Sequence, residues 1–400
     1  MIKYWLWVSL CLDIGSAHLK PLLNRYSSPQ NVYNATIKDL EGSYILSPKE
    51  LERARNKGLG RVEKIISDCK ESGIEIIAFD DDRYPENLRE ISDPPACLYV
   101  KGKLTDFSKL PIVCIVGTRK ITDYGRMVAW SLAGRLAAGN IVILSGGAIG
   151  GDTAVHEGAM AIGGKTIAVL PCGINYDYLK TNSFLRGVIA DNGCLVSEMP
   201  PDTPLHKNAF QIRNRLLSGL SLGVVIVEAH QKSGALITAN HALEQGRDVF
   251  VITGRPDDKN YAGSNALLRD GAKPVFTADD IFGEYINKYP NIIDVQKAKN
   301  TNLSAVYKIM HSPKIFEEDV AQAPADIPTT KKVEKIKKNI DEALPNSVKI
   351  VYNYIDNDLF TIDDLLGCGL SFEEVMSAVT QLELYGYVKA IPGGRYSIIY

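Results

Sequence analysis

Between about residue 73 and about residue 280 the chain alternates short, β-branched apolar runs with stretches of helical periodicity, and no other feature restricts its fold as strongly. The runs are IEIIAF, CLYVKG, IVCIVG, IVILSG, TIAVLP, CLVSE, GVVIVEA and DVFVITG. Several are apolar at every position, as strands buried on both faces are, whereas a strand with one wet face alternates. Intervals such as YGRMVAWSLAGRLAAG and GALITANHALEQG space their apolar residues for a helix. Strand, helix, strand repeated in this way predicts an α/β class with a doubly wound parallel sheet and right-handed crossovers. Ligands of such sheets bind beyond the carboxyl ends of the strands, so function is sought in the loops that follow them.

At 400 residues the chain exceeds one ordinary core. Residues 1–70 read as a small helical domain: SPKELERARNK offers Ser47 as an N-cap with Pro48 at the first helical position, and GLGRVEKIISDCKESG restarts a helix. Gly58-Leu59-Gly60 fits a helix-hairpin-helix turn or a plain interhelical turn. The sheet domain takes residues 71–287. Residues 288–344 contain APADIPTTKKVEKIKK, with little to bury, and read as a flexible linker whose lysines are solvated or brush a nucleic-acid backbone.

Residues 345–400 regain order, with helices near SVKIVYNYI, TIDDLLG and SFEEVMSAVTQLELYG and a hairpin around Pro392-Gly393-Gly394. Three helices and a wing make a winged-helix domain. Its three basic residues face seven acidic ones, and Glu373 and Glu374 open the helix that would read DNA, where cations would be wanted. A protein contact is therefore favoured over DNA for this domain.

Net charge is −2, which neither argues for nor forbids a nucleic-acid partner, because binding follows local fields. The seven cysteines, at 11, 69, 97, 114, 172, 194 and 368, are scattered and never spaced Cys-x-x-Cys. That usage suits reduced thiols in the cytoplasm, with no disulfide framework and no zinc site. The opening MIKYWLWVSLCLDIG lacks a small-residue cleavage site and meets Asp13 at once, so a buried first helix is favoured over a signal peptide. No apolar run approaches the ~20 residues of a membrane span.

Four segments could carry chemistry. In SGGAIGGDTAVHEGAM, Gly146, Gly147, Gly150 and Gly151 lie between a strand and a helix, where backbone N–H groups and the helix dipole favour an anion. The dinucleotide fingerprint G-x-G-x-x-G is not met, and a tight turn remains an alternative. Asp152 with His156 one turn along would make a catalytic pair; Asp152 as helix N-cap is the plainer reading. The GGKT at 163–166 is not a P-loop, since the first glycine would fall on Ala159 and Lys165-Thr166 open a strand.

In IVGTRKITDYG, Gly117 and Thr118 end a buried strand, and Arg119, with Lys120 beside it, projects at the crevice with a guanidinium suited to phosphate. In LHKNAFQIRNRLLSGLS, Lys207, Phe210, Arg213, Asn214 and Arg215 fall within nine residues. Cations beside an aromatic are what sequence-tolerant single-strand binders use; the alternative is a core Phe210 with arginines paired to acids. In HQKSGALITAN, Ser233 and Gly234 form a small-residue turn and helix start. Several such loops around one crevice suit several successive phosphates, where a mononucleotide would occupy one.

These motifs closely resemble the DNA-processing protein A family (DprA, also called Smf). The family's opening signature corresponds to Tyr84-Pro85, Leu88, Asp93-Pro94-Pro95, Leu98 and Gly102, and its G-S-R loop to Gly117-Thr118-Arg119 followed by Tyr124-Gly125. SGGAIGGDTAVH, SEMPPDTP, FQIRNRLLSGLS, SGALITANHALEQGR and Ser264-Asn265-Ala266-Leu267-Leu268 match further family segments. The resemblance implies a Rossmann-like, mostly parallel sheet domain that binds single-stranded DNA, dimerises and helps load RecA during natural transformation, flanked by an N-terminal helical module and a C-terminal winged helix. It also implies that Arg119 and Lys207 bind phosphate, Phe210 stacks on a base, and Asn214 with the turn at Gly146 and Gly147 lines the pocket. The helix near 263–271, with Asn265, Ala266 and Leu268, would be the dimer surface. Three positions depart from the pattern: Ile149 replaces an arginine, Gly151 an isoleucine and Gln211 a proline.

The expectation is a non-enzymatic, cytoplasmic single-stranded DNA binder and recombination mediator that needs no cofactor or metal. Its expected partners are single-stranded DNA, RecA, a second copy of itself and a single-strand-binding protein. The alternative is a nucleotide-binding or nucleotide-hydrolysing enzyme on the same fold, which fold alone does not exclude.

Overall fold

The computed structural model describes residues 1–178, 182–306, 340–341, 344–355, 359–365, 367–391 and 395–398. It divides into two compact units, Met1–Lys314 and Ile315–Tyr400.

The first unit opens with six helices, α1 (Ile2–Cys11), α2 (Leu19–Tyr26), α3 (Pro29–Asn34), α4 (Ile37–Gly42), α5 (Pro48–Arg55) and α6 (Gly60–Glu71). Ser47 caps α5 as its sequence predicts: its hydroxyl accepts the Glu50 N–H, Glu50 returns the bond to the Ser47 N–H, and Pro48 follows where no N–H is needed. The helices bury Trp5, Leu6, Leu19, Leu22, Leu40 and Val62 in one cluster that also contains Tyr99 and Ala168 of the sheet. The helical segment therefore shares a core with the sheet.

Nine strands follow: β1 (Glu75–Ala78), β2 (Cys97–Gly102), β3 (Ile112–Val116), β4 (Val142–Ser145), β5 (Thr166–Val169), β6 (Cys194–Ser197), β7 (Gly223–Ile226), β8 (Asp248–Ile252) and β9 (Lys273–Val275). Their order is β1-β2-β6-β5-β4-β3-β7-β8-β9. From β6 to β9 every pairing is parallel, while β1 and β2 form an antiparallel edge. The connecting helices are α7 (Glu86–Glu90), α8 (Asp123–Ala138), α9 (Gly151–Ala161), α10 (Ser183–Asn192), α11 (Ala209–Gly219), α12 (Gly234–Glu244), α13 (Ala262–Arg269), α14 (Asp279–Tyr285) and α15 (Val295–Asn300).

The unbroken apolar runs are explained by two covered faces. In β3, Val113 and Ile115 pack with Ala129 and Ala133 of α8, while Cys114 and Val116 pack with Leu216 of α11 and Ala239 of α12. Strand order reverses between β3 and β7, and a crevice opens at such a switch point beyond the carboxyl ends.

The chain stays packed on this unit beyond residue 287. Ile293, Ala298 and Leu303 are buried, and Arg135 of α8 donates to the carbonyl of Thr301 (2.9 Å) and to that of Ala298. The first part of the segment expected to be linker is thus ordered, its few apolar residues too widely spaced among lysines to register as a pattern. Of the rest of that segment, residues 307–339 and 342–343 lie outside the described residues.

In the second unit, helices Asn346–Tyr354 and Phe372–Leu384 pack with a three-stranded antiparallel sheet of order β10 (Leu359–Thr361), β12 (Arg395–Ile398), β11 (Val388–Ile391). The helix expected at TIDDLLG is instead a strand residue leading into a single 3₁₀ turn, Asp363–Leu365, because Asp364 turns back onto the Thr361 N–H and hydroxyl. Glu374 is spent on a capping box with Ser371. The expected tip at 392–394 lies outside the described residues.

Candidate nucleic-acid interface

A cavity of about 430 Å³ lies beyond the carboxyl ends of β3, β4 and β7. Gly117, Thr118, Arg119 and Lys120 line it from the loop after β3, Phe210, Arg213 and Asn214 from α11, and Ser233 and Gly234 from the start of α12. Segments more than a hundred residues apart thus converge as the alternation of strands and helices predicts.

The walls are built by close backbone contact. Thr118 donates its N–H to the Glu228 carbonyl (2.9 Å) and accepts the Gly151 N–H on its own carbonyl (3.1 Å), tying three loops together. Gly150 has φ +86° and a side chain there would overlap the Arg119 carbonyl, so only glycine admits this approach. The buried Glu228 carboxylate accepts the Thr122 hydroxyl (2.7 Å) and N–H, fixing the start of α8.

Arg119 and Lys120 are exposed, and among the described residues neither is held in an ion pair. The Arg119 guanidinium lies 4.5 Å from the centre of the Phe210 ring. Phe210 is half-buried and meets Tyr178 edge-on at 6.2 Å. It is therefore neither a core residue nor free: its inner side packs and its outer face carries the arginine. Asn214 donates to the Gly234 carbonyl (3.3 Å), joining α11 to α12.

Other expected site residues have different roles. Arg213 is buried and donates to the carbonyls of Gly146 (2.8 Å) and Val169, so it anchors the glycine loop from below. That loop is not an open anion cradle. Asp152 folds back to accept the Ala148 N–H (3.3 Å), and the Gly146 amide also favours its charge, so the chain's own carboxylate occupies the turn formed by Gly146 and Gly147. Burial pushes the Asp152 carboxyl above its ordinary value, against the pull of Arg213. Asp152 is also no N-cap, since α9 starts at Gly151 with Gly150 in that position.

His156 is fully buried. Its Nδ1 donates to the Thr166 hydroxyl (2.7 Å), which itself donates to the Ile143 carbonyl (2.9 Å), and burial with the nearby Arg213 lowers its pKa to about 3. A neutral imidazole turned into the core is not a partner for Asp152 in proton transfer. Lys207 is exposed in the turn before α11 and does not line the cavity. Arg215 points away from it, 4% exposed, ion-paired to Asp93 (3.2 Å) and Glu198. The acid-paired alternative therefore holds for Arg215. His230, Thr238 and Asn260 line the cavity and were not singled out from sequence. Thr238 was legible as one turn beyond Gly234; Asn260 sits in a 3₁₀ turn, Lys259–Tyr261, that no pattern marks.

A family model described as DNA recombination-mediator protein A matches residues 75–286, more than half of the chain. The chain belongs to this family. A DprA-family relative, the DNA processing protein DprA of Bacillus subtilis (strain 168), is 40% identical over 224 residues, 56% of this chain and 75% of its own. Protein Smf of Synechocystis sp. is 28% identical over an alignment spanning 98% of both chains. The X-ray structure of DprA from Streptococcus pneumoniae superposes with a TM-score of 0.63 at 31% identity, over 71% of this chain and 98% of that one. The DprA family match covers the whole nine-stranded sheet, including every loop that lines the cavity. Among the described residues no helix is long and apolar enough to cross a membrane, and no group of three or more His, Cys, Asp or Glu could hold a metal ion.

Proposed function

We propose that the chain is a non-enzymatic, sequence-tolerant binder of single-stranded DNA that protects incoming strands and loads the RecA recombinase onto them during natural transformation, in the cytoplasm. The observation that carries this reading is the unpaired Arg119 guanidinium over the outer face of Phe210 at the mouth of the cavity. Phosphates go to Arg119, Lys120 and Lys207, a base stacks at Phe210, and Gly117, Thr118, Asn214, Ser233 and Gly234 supply the polar wall. Stacking contributes roughly 1–3 kcal/mol per base and is blind to sequence, because every base has a π-face.

The functional protein on this reading is a homodimer through Asn265, Ala266 and Leu268, which are half-buried on α13. The acidic C-terminal unit is a winged helix that contacts a protein, with RecA and a single-strand-binding protein as the partners to test. The nucleotide-enzyme alternative is the weaker one, since its two candidate groups, Asp152 and His156, are engaged elsewhere.

Gel shifts of the purified chain on single-stranded and duplex oligonucleotides at two salt concentrations test the reading, with a nucleotide-hydrolysis control. Single-strand binding that weakens with salt, by ~0.7 log units per neutralised phosphate per log unit of salt, is the expected result. Hydrolysis that depends on Asp152, or no binding to single strands, would replace it with the alternative.

A further inference from the structure

A second cavity, of about 750 Å³, lies where the N-terminal helices meet the sheet. Helix α11 separates it from the first. Phe210, Arg213, Asn214 and Leu217 face the first cavity, while Asn208, Ile212 and Arg215 face the second, and at ~100° per residue these two sets lie on opposite sides of one helix. The exposed Lys207 stands in the turn between them, and the start of α11 has no side-chain cap.

The second cavity's unbalanced charge is positive. Asp13 pairs with Arg53 (2.7 Å), while Asp93 (3.2 Å) and Glu198 share the single Arg215, so the four cations that line the cavity, Lys49, Arg53, Arg61 and Arg215, exceed its three carboxylates by one. Lys49 of α5 and Arg61 of α6 also line it, are exposed, and have no ion-pair partner among the described residues. On the floor, Arg215 Nη1 and Glu198 Oε1 are both buried without a hydrogen-bond partner among the described residues, an unmet donor beside an unmet acceptor, so the anion preference of the groove rests on Lys49 and Arg61. A polyanion leaving the first cavity over α11 would meet Lys207, the uncapped helix start and then two free cations in turn.

Building on the reading of the first cavity as a single-strand site, we propose that the strand crosses the start of α11 and continues into this groove, where Lys49 and Arg61 take two further phosphates. The N-terminal helices then lengthen the footprint on DNA.

The test uses the full chain with oligo-dT of about six and about thirty nucleotides, one confined to a single cavity and one long enough to reach both. The doubly substituted Lys49→Glu/Arg61→Glu protein should bind the long strand at least ~10-fold more weakly, with a salt slope shallower by about 1.4, twice ~0.7, and bind the short strand as before. Unchanged binding of the long strand, or equal loss on both, overturns the proposal. Should charge reversal lower the melting temperature, Lys49→Gln/Arg61→Gln carries the same comparison. Failure of the first-cavity reading looks different: Arg119→Ala would then leave binding of the short strand intact, or the short strand would not bind the unsubstituted chain at all.

Discussion

Replacing Arg119 with alanine removes one exposed guanidinium from the mouth of the first cavity. In the free protein the guanidinium lies over the Phe210 ring, at 4.5 Å from its centre, and an exposed cation–π pair contributes about 0.5–1 kcal/mol. For a unit of this size 1 kcal/mol moves the melting temperature by ~2–4 °C, so Arg119→Ala should melt within a few degrees of the parent. Binding should suffer more. A hydrogen bond between charged groups contributes roughly 1.5–3 kcal/mol, which lowers affinity about 10- to 150-fold when one phosphate contact is lost. The salt slope should also become shallower by ~0.7. Fluorescence anisotropy of labelled oligo-dT at several salt concentrations reads both quantities, beside a thermal melt. Arg119→Lys keeps the charge but loses the planar fork, and should fall between. Unchanged affinity and slope would refute a phosphate role for Arg119, and a large drop in melting temperature would make it a structural residue.

Three further substitutions probe the scaffold under the site. Gly150→Ala, at φ +86° and against the Arg119 carbonyl, should destabilise by about 1–3 kcal/mol in chemical denaturation and weaken binding as well; normal stability would mean that the two loops do not touch as described. Ile149 is 41% exposed beside that glycine, so Ile149→Arg should tighten binding and steepen the salt slope by ~0.7, unless the strand does not pass the loop, in which case the slope stays put. The His156 pKa is lowered from 6.5 to about 3, so between those values the unfolded chain binds more protons than the native one and stability falls as pH falls, by up to ~1.4 kcal/mol per pH unit. His156→Leu should flatten that limb of a melting-temperature curve against pH, and a curve of unchanged shape would show that His156 is not the titrating group.

The central strands β3, β4, β5 and β7 were legible because burial on both faces leaves their runs almost wholly apolar, and the same cause marked the loops at their ends. β9 was not, since Lys273-Pro274-Val275 is short and carries a proline, tolerable there because β9 lies at an edge. The antiparallel direction of β1 and β2 was equally invisible, as a buried run has the same composition in either direction. Of the residues that line the cavity, Arg119, Lys120 and Phe210 were legible because each follows a strand or opens a helix. Two errors had one origin: sequence counts donors without showing what already occupies them. The amides around Gly146 and Gly147 looked free, and Asp152, six residues past Gly146, is what occupies them.

The cluster from Lys207 to Arg215 makes the same point in side chains. Arg213 and Arg215 are two residues apart, which on a helix turns them about 200° from one another, so they cannot serve one surface. Arg215 is buried between Asp93 and Glu198, and burial raises the Glu198 carboxyl although Arg215 opposes that rise. Arg215→Ala would leave those acids without their cation, a loss that typically costs about 3–5 kcal/mol. Weak DNA binding by that variant would therefore report a damaged fold, whereas the same result for Arg119→Ala would report a lost phosphate. Adding Glu198→Gln to Arg215→Ala separates the two, because it removes a stranded charge and should recover part of the lost melting temperature. If the double variant melts no higher than Arg215→Ala, the pair does not hold α11 against the sheet, and Arg215 returns to the list of direct phosphate ligands.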